Sequence, residues 1–240
     1  MSSELNYQIR YSQRAKKVRL VVTSDKVEVV APFGVCEKQL HAFAAEQKQW
    51  IEKTLKKVQA KTRAIKPFMP ARYENGALIP FKGEFYPLTL EPRSTSRGHG
   101  VRFSPEEGFA VSIKPGHGDD NQEEIRQRLR HWLFQQAARE TDRNIQKHAP
   151  SCQLWPKQVR IRQQKSRWGS CSGQNNLNIN GLLILTPPEV MEYVVVHELC
   201  HIRHKNHSAD FWRLVAEHLP DYQLQKDWLK QHGSRVMCGF

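Results

Sequence analysis

Two histidines and one glutamate occur within a single helical turn, in the sequence His197-Glu198-Leu199-Cys200-His201. Residues four positions apart lie on one face of a helix, so both imidazoles can direct a ring nitrogen at the same ion. Imidazole nitrogen is a common ligand of zinc. Glu198 lies about 100° round the helix from His197, where its carboxylate can hold a water molecule beside the ion rather than ligate it. The pattern predicts a metal-dependent hydrolase.

A catalytic zinc site uses three protein ligands and keeps a fourth position open. The third ligand predicted from the residues is His207, six residues beyond the motif. It would lie in a sharp corner where Asn206 adopts the left-handed conformation that ends a helix and Ser208 caps the next helix. Glu217 on that next helix and His204 on the motif helix remain alternatives, ranked in that order after His207.

The apolar residues around the motif favour a metal site over a helix with two structural histidines. Val194–Val196 precede the motif, and Leu199, Cys200 and Ile202 keep charge out of the turn. Three histidines and a glutamate thus occur beside an uncharged stretch of helix. Histidines that only face solvent would not require such apolar neighbours.

The composition predicts a cytoplasmic protein with reduced thiols and no membrane segment. No run approaches the roughly 18 apolar residues of a membrane span, and Met1–Arg10 contains no apolar signal segment. The five cysteines are odd in number, scattered and without CxxC spacing, which disfavours a disulfide framework.

The chain is strongly basic, with 37 Lys and Arg residues against 24 Asp and Glu residues and a formal net charge of +13. Such a charge attracts polyanions, so nucleic acid or a nucleotide is a candidate partner through a basic surface. The basic residues are spread along the chain without a tail or tract, which weakens that interpretation.

The elements predicted from hydropathy periodicity divide the chain after residue 120. Three short strands between Tyr7 and Ala31 precede a helix over Glu37–Ala60. A turn-rich stretch of further short strands follows and ends in a linker, Pro115–Asp120. Residues 1–120 are therefore predicted to form a β-rich N-terminal module with one long helix.

Residues 121–240 are predicted to hold the chemistry. A long helix, Gln122–Lys147, carries apolar residues at helical spacing, and apolar residues alternate with asparagines in a half-buried strand, Asn176–Asn180. Pro187-Pro188 begins the metal helix, because proline is tolerated in the first turn. The predicted fold class is α+β, with the N-terminal module followed by a zincin-like metallopeptidase domain whose helix carries the HExxH motif.

Several stretches match one known family in order and spacing. They are Ser12–Lys17, Trp50-Ile51, Lys165–Ser172, Leu177–Asn180, Tyr193–His201 and Asn206-His207-Ser208. With these, the chain resembles the YgjP-like, SprT-related family of predicted zinc metallopeptidases. The resemblance implies one zinc ion per chain, held by His197, His201 and His207, with Glu198 as catalytic acid and base.

The predicted reaction is hydrolysis of a peptide bond by a zinc-activated water molecule. Zinc lowers the pKa of that water to near 7, and Glu198 takes its proton and delivers it to the leaving group. An extended protein or peptide substrate is expected along the strand Asn176–Asn180, by β-augmentation. Arg167 and Tyr193 are candidates for stabilising the oxyanion.

Two alternatives remain open. A basic protein with a hydrolytic metal centre could cleave nucleotide phosphoanhydrides as a pyrophosphatase, although the sequence has no Gly-rich phosphate loop. The chain could also be a nucleic-acid-associated binding protein with a structural zinc, or a protease recruited to DNA by its basic surface. Structural zinc sites are normally cysteine-rich and four-coordinate, which disfavours the non-catalytic version.

Overall fold

Strands and helices alternate along the part of the chain that this computed structural model describes, residues 6–92, 100–113 and 121–240. The elements fall into two units, Met1–Lys66 and Pro67–Phe240. The predicted linker Pro115–Asp120 lies outside the described residues.

The first unit is a three-stranded sheet with two helices. Its central strand is buried along its whole length, and it pairs in parallel with the first strand and antiparallel with the second. The elements are β1 (Gln8–Tyr11), β2 (Arg19–Val22), β3 (Val27–Ala31), α1 (Glu37–Glu46) and α2 (Lys48–Ala64).

The helix predicted over Glu37–Ala60 is therefore two helices rather than one. Gln47 separates them with φ −92° and ψ 7°, outside the helical region. Only this one residue separates the two helices, so the interruption is a short break and not a loop. Hydropathy spacing does not detect such a break, because the apolar face continues through it with Leu40, Ala44 and Ile51 all buried.

The second unit combines two sheets with four α-helices and a short 3-10 helix within its described residues. A four-stranded sheet has the order β4-β5-β7-β6, and a three-stranded sheet has the order β8-β10-β9. The elements are β4 (Leu78–Phe81), β5 (Glu84–Pro92), β6 (Val101–Ser104), β7 (Gly108–Ile113), α3 (Gln122–Cys152), β8 (Gln158–Arg162), β9 (Gly169–Cys171), β10 (Asn176–Asn180), the 3-10 helix (Gly181–Leu185), α4 (Pro188–Arg203), α5 (Ala209–His218) and α6 (Tyr222–Met237).

The division predicted after residue 120 falls inside this second unit. Phe109 and Val111 of β7 belong to the same buried core as Leu129 and Leu133 of α3. Trp132 of α3 also contacts the Phe109 ring, with 5.3 Å between the centroids. The four-stranded sheet therefore uses α3 to cover its apolar face, and a boundary between the two elements would expose that face.

The three-stranded sheet differs from the prediction at its edge. The β-augmentation predicted along Asn176–Asn180 requires an edge strand, but β10 is central, parallel to β8 on one side and antiparallel to β9 on the other. The edge nearest the motif helix is β9, since Gly169 in that strand lies against Glu198. Apolar and polar residues alternate in β10 because one face of the sheet is more deeply buried than the other. This alternation does not distinguish a central strand from an edge strand.

The architecture is α+β, as predicted. The motif helix α4 packs against α3, α5, α6 and β9, and nine of its sixteen residues are buried. Within the described ranges, no helix combines the length and the apolar character that crossing a membrane requires.

Candidate metal centre

The HExxH motif lies on α4, and the helix begins where the sequence predicts. Pro188 occupies its first turn, where a missing backbone N–H removes no helical hydrogen bond. The helix ends at His204, whose backbone is extended, with φ −116° and ψ 105°. The amide of His204 donates to the Cys200 carbonyl at 3.0 Å and closes the last turn.

The turn after α4 is built differently from the prediction. Asn206 is not among the described residues with positive φ, so the left-handed conformation expected for it is wrong. Its side-chain oxygen instead accepts a hydrogen bond from the Ser208 amide at 3.3 Å. Ser208 caps α5 as predicted, with its hydroxyl accepting from the Phe211 amide at 3.4 Å. The side chain of Asn206, rather than its backbone, thus makes the corner that carries His207.

This corner brings three imidazoles together. One ring nitrogen from each of His197, His201 and His207 lies within 4.8 Å of the others. The Nε2 atoms of His197 and His207 are 3.1 Å apart. Neither Glu217 nor His204 belongs to this group. Two ring nitrogens at that distance need a proton or a cation between them, so the cluster is suited to bind a metal ion.

His204 contributes through its backbone. Its carbonyl lies 2.9 Å from Nδ1 of His201, and because a carbonyl only accepts, Nδ1 must carry the proton. Nε2 of His201 is then left with a free lone pair. A partner that fixes the tautomer in this way is usual behind histidines that ligate metals. Sequence reasoning considered the His204 side chain and missed its backbone, which no local signal reveals.

Two aromatic residues of α5 hold the imidazoles in place. Phe211 is fully buried, and its ring centroid lies 4.9, 4.5 and 4.9 Å from those of His197, His201 and His207. Trp212 stacks on His207 at 5.6 Å. These contacts limit rotation of the rings about their side-chain bonds.

Burial also fixes the charge of the rings. It lowers the pKa of His197 to about 3, and the charges of His201 and His207 add to this effect. Burial lowers the pKa of His201 as well. Both rings are therefore neutral at pH 7, which is the form of histidine that ligates metals.

Glu198 is buried beside the histidines, with 6% of its surface exposed. Its Oε2 atom has no hydrogen-bond partner among the described residues. Burial raises the pKa of Glu198 to about 7, against the opposing effect of the Arg167 charge. A carboxyl group with a pKa near neutrality can both accept and donate a proton at pH 7.

Gly169 of β9 makes the space that this carboxyl group occupies. A Cβ atom at position 169 would lie 2.6 Å from both Cγ and Oε1 of Glu198. The glycine is thus required by a close approach between β9 and α4.

An open cleft of about 680 Å³ leads to Glu198 and His197. Its walls come from the segment that enters β9, from α4 and from α6. The lining residues are Arg167, Trp168, Gly169, Tyr193, Val194, His197, Glu198, Gln223, Lys226, Asp227, Leu229 and Lys230. The wall from α6 was missed from the sequence, although its polar residues recur at the spacing of one helix face.

Both residues considered as oxyanion stabilisers line this cleft. Tyr193 is buried, its ring centroid lies 5.9 Å from that of His197, and it stacks on Tyr222 at 6.2 Å. Burial raises the pKa of Tyr193 to about 12, so its hydroxyl keeps its proton. Arg167 is close enough to Glu198 to lower the pKa of its carboxyl group. Each can therefore donate a hydrogen bond into the cleft.

Comparison with known proteins identifies a family. The family model of the YgjP-like metallopeptidase domain matches residues 16–232. No curated protein matches the chain. The matched range includes the three histidines, Glu198 and the whole of α4.

Proposed function

Since the chain belongs to the YgjP-like metallopeptidase family, we propose that it is a zinc-dependent peptidase whose general base is Glu198. The observation that supports this proposal most directly is the buried Glu198 carboxyl group beside three converging imidazoles. The nucleotide and nucleic-acid alternatives gain nothing from the family match, which is to a peptidase domain.

The residues present suit one zinc ion per chain. His197, His201 and His207 would hold it, because three neutral imidazoles are a ligand set found in catalytic zinc sites. His201 is already in the tautomer that leaves Nε2 free, through its hydrogen bond to the His204 carbonyl. A zinc ion bound there would lower the pKa of water and polarise a peptide carbonyl group.

Glu198 would move the protons of the reaction. Its carboxylate accepts a proton from the attacking water and then donates that proton to the nitrogen of the leaving amine. Burial raises the pKa of this carboxyl group to about 7, which favours its uptake of a proton. Tyr193 and Arg167 line the same cleft and would donate hydrogen bonds to the oxygen that gains charge.

The substrate would bind as an extended strand along β9. Within the described residues, β9 pairs with β10 on one side only, which leaves backbone groups on the other side for a peptide. The position also suits the chemistry, because Gly169 in this strand contacts Glu198. This assignment replaces the strand Asn176–Asn180, which is central in its sheet.

The experiment that tests the proposal is the substitution Glu198→Gln, measured for metal content and for cleavage of unfolded casein and of a mixed peptide library. We expect about one zinc ion per chain in both the wild type and the variant, and cleavage only by the wild type. Glu189→Gln is the matched control, since Glu189 is exposed in the first turn of the same helix.

Retained cleavage by Glu198→Gln would refute the general-base role. Zinc content that His207→Ala leaves unchanged would refute the third ligand. Release of phosphate from a panel of nucleotides, with no cleavage of any peptide, would favour the phosphoanhydride alternative over the peptidase.

A further inference from the structure

We propose that the cleft beside the metal centre selects acidic polypeptide segments, and that Arg167, Lys226 and Lys230 bind their carboxylates. This inference rests on the proposed peptidase function, because it names the substrate class of the same site. It concerns residues of the cleft walls and not the metal ligands or the general base.

The charge of the cleft lining is unbalanced. Arg167, Lys226 and Lys230 are exposed residues that line it, while Asp227 is the one carboxylate of the lining besides Glu198. In the described part of the chain, no carboxylate forms an ion pair with any of these three cations. Solvated surface lysines are common, but here three unpaired cations share one concave surface next to the reacting groups. Such a surface attracts an anionic ligand.

The cations also have defined positions. Lys226 and Lys230 are one turn apart on α6, so they project from the same face of the helix. The Nζ atom of Lys226 lies 4.3 Å from the centroid of the Trp212 ring, and that ring stacks on His207. The cation–π contact therefore holds one ammonium group within reach of the metal centre.

On the wall opposite α6, hydrogen bonds hold the backbone of Arg167 in place. The side chain of Asn180 is fully buried, and its Nδ2 donates to the carbonyls of Gln164 and Arg167, each at 2.9 Å. These two bonds hold the backbone from which the guanidinium extends. Arg167 lines the same cleft as the Glu198 carboxyl group.

The two walls are joined by a close contact, which keeps their separation constant. Trp168 packs against α6 at Gly233, where a Cβ atom would lie 3.0 Å from Cζ2 of the indole. Trp168 follows Arg167 directly, and Gly233 lies less than one turn beyond Lys230 on α6. The spacing between the backbone at Arg167 and α6 is thus set by packing. Cleft walls that are already in place reduce the entropy lost when a ligand binds between them.

The test measures binding separately from cleavage. Three peptides of equal length carry the same fluorescent label and differ only in a central run. That run consists of Asp and Glu in the acidic peptide, of Asn and Gln in the neutral peptide, and of Lys in the basic peptide. The affinity of each peptide for the zinc-loaded Glu198→Gln protein is measured by fluorescence anisotropy at two salt concentrations. The kcat/KM for cleavage of each peptide is measured with the wild-type protein. We expect at least tenfold tighter binding of the acidic peptide than of the neutral one, since a charge-assisted hydrogen bond contributes about that factor. The preference should weaken in high salt.

The double variant Lys226→Glu/Lys230→Glu should lose the preference for the acidic peptide while its zinc content stays unchanged. The control is Lys157→Glu/Arg160→Glu, which changes the net charge equally at two exposed residues outside the cleft, and it should keep the preference.

Three results would overturn the inference. Equal affinity of the Glu198→Gln protein for acidic and neutral peptides, with all three peptides cleaved by the wild type, overturns the proposed selectivity and leaves the peptidase proposal standing. If the control variant Lys157→Glu/Arg160→Glu also loses the preference for the acidic peptide, that preference comes from the net charge of the protein and not from the cleft. Phosphate release from a nucleoside triphosphate, abolished by Lys226→Glu/Lys230→Glu, assigns the cations to a phosphate-bearing substrate. Absence of any peptide cleavage, with acidic binding intact, rejects the peptidase proposal but supports an anion-selective cleft.

Discussion

Replacement of Gly169 by alanine tests the role of Glu198 without changing the glutamate. The added Cβ atom would lie 2.6 Å from both Cγ and Oε1 of Glu198 and 2.8 Å from Cδ. Non-bonded heavy atoms prefer roughly 3.5–4.0 Å, so the carboxyl group must move by about 1 Å. Gly169 is not among the glycines with positive φ, and its backbone therefore accepts an alanine. The contact with Glu198 is the whole of the expected effect.

A displacement of about 1 Å at a reacting group costs about 100-fold in rate, and we expect that loss in kcat/KM on casein-derived peptides. Overpacking at this buried contact should also lower the free energy of unfolding by about 1–3 kcal/mol. Zinc content should remain near one ion per chain, because the three atoms nearest to the added Cβ all belong to Glu198 and not to a histidine.

Gly173→Ala is the matched control. Gly173 follows β9 in the same part of the chain and has no positive φ, and a Cβ atom there would meet nothing within 4 Å. We expect wild-type activity and stability from this variant, measured by the same peptide assay and by urea denaturation. Wild-type kcat/KM in Gly169→Ala would refute the proposed role of the Glu198 position, and loss of zinc would mean that the change propagates to the histidines.

Three further predictions concern stability. Phe211→Ala should destabilise the protein by about 3–5 kcal/mol and weaken zinc retention against a chelator, since this ring contacts all three histidines; an unchanged melting temperature would contradict it. Asn180→Ala removes two donated bonds and the one accepted from Leu182, which predicts a loss of about 3 kcal/mol in urea denaturation, whereas a neutral effect would show that water replaces the amide. Burial opposes ionisation of Glu192, but hydrogen bonds from Lys147 and His148 outweigh it and lower the pKa of that carboxyl group. Its ionised form therefore stabilises the fold above the unfolded-state pKa, and the stabilisation is lost as pH falls through the lower folded-state pKa. The stability difference between wild type and Glu192→Gln should shrink as pH falls from 6 to about 3, and a difference independent of pH would refute the ion pair as its source.

The motif helix and its neighbours could be predicted from the sequence because local rules determine them. Proline in the first turn begins α4 at Pro188, and the hydroxyl of Ser208 caps α5. The resemblance to the YgjP-like family is confirmed by the family match over residues 16–232. The placement of His207 near the two motif histidines follows from these two helix ends together.

The features that were wrong or missed depend on contacts between distant segments. The central position of β10 is set by β8 and β9 on its two sides, which hydropathy alternation cannot show. The Glu198–Gly169 contact joins residues 29 positions apart by their numbers, and the cover of the four-stranded sheet by α3 removes the boundary expected after residue 120. Asn206 was assigned by its tolerance of positive φ, but its side chain offered a hydrogen bond to Ser208 that serves the same turn.

The three histidines belong to segments that are unequally packed, and this has a kinetic consequence. His197 and His201 project from α4, whose amides are covered by three other helices and should exchange with solvent only on global unfolding. His207 is exposed on the short connection between α4 and α5, a kind of segment that opens locally at much lower cost. An ion in this site would therefore lose its ligands in order, His207 first. Release of the ion to a chelator would need only local opening and would be faster than unfolding. The empty site would keep His197 and His201 in position to bind the next ion.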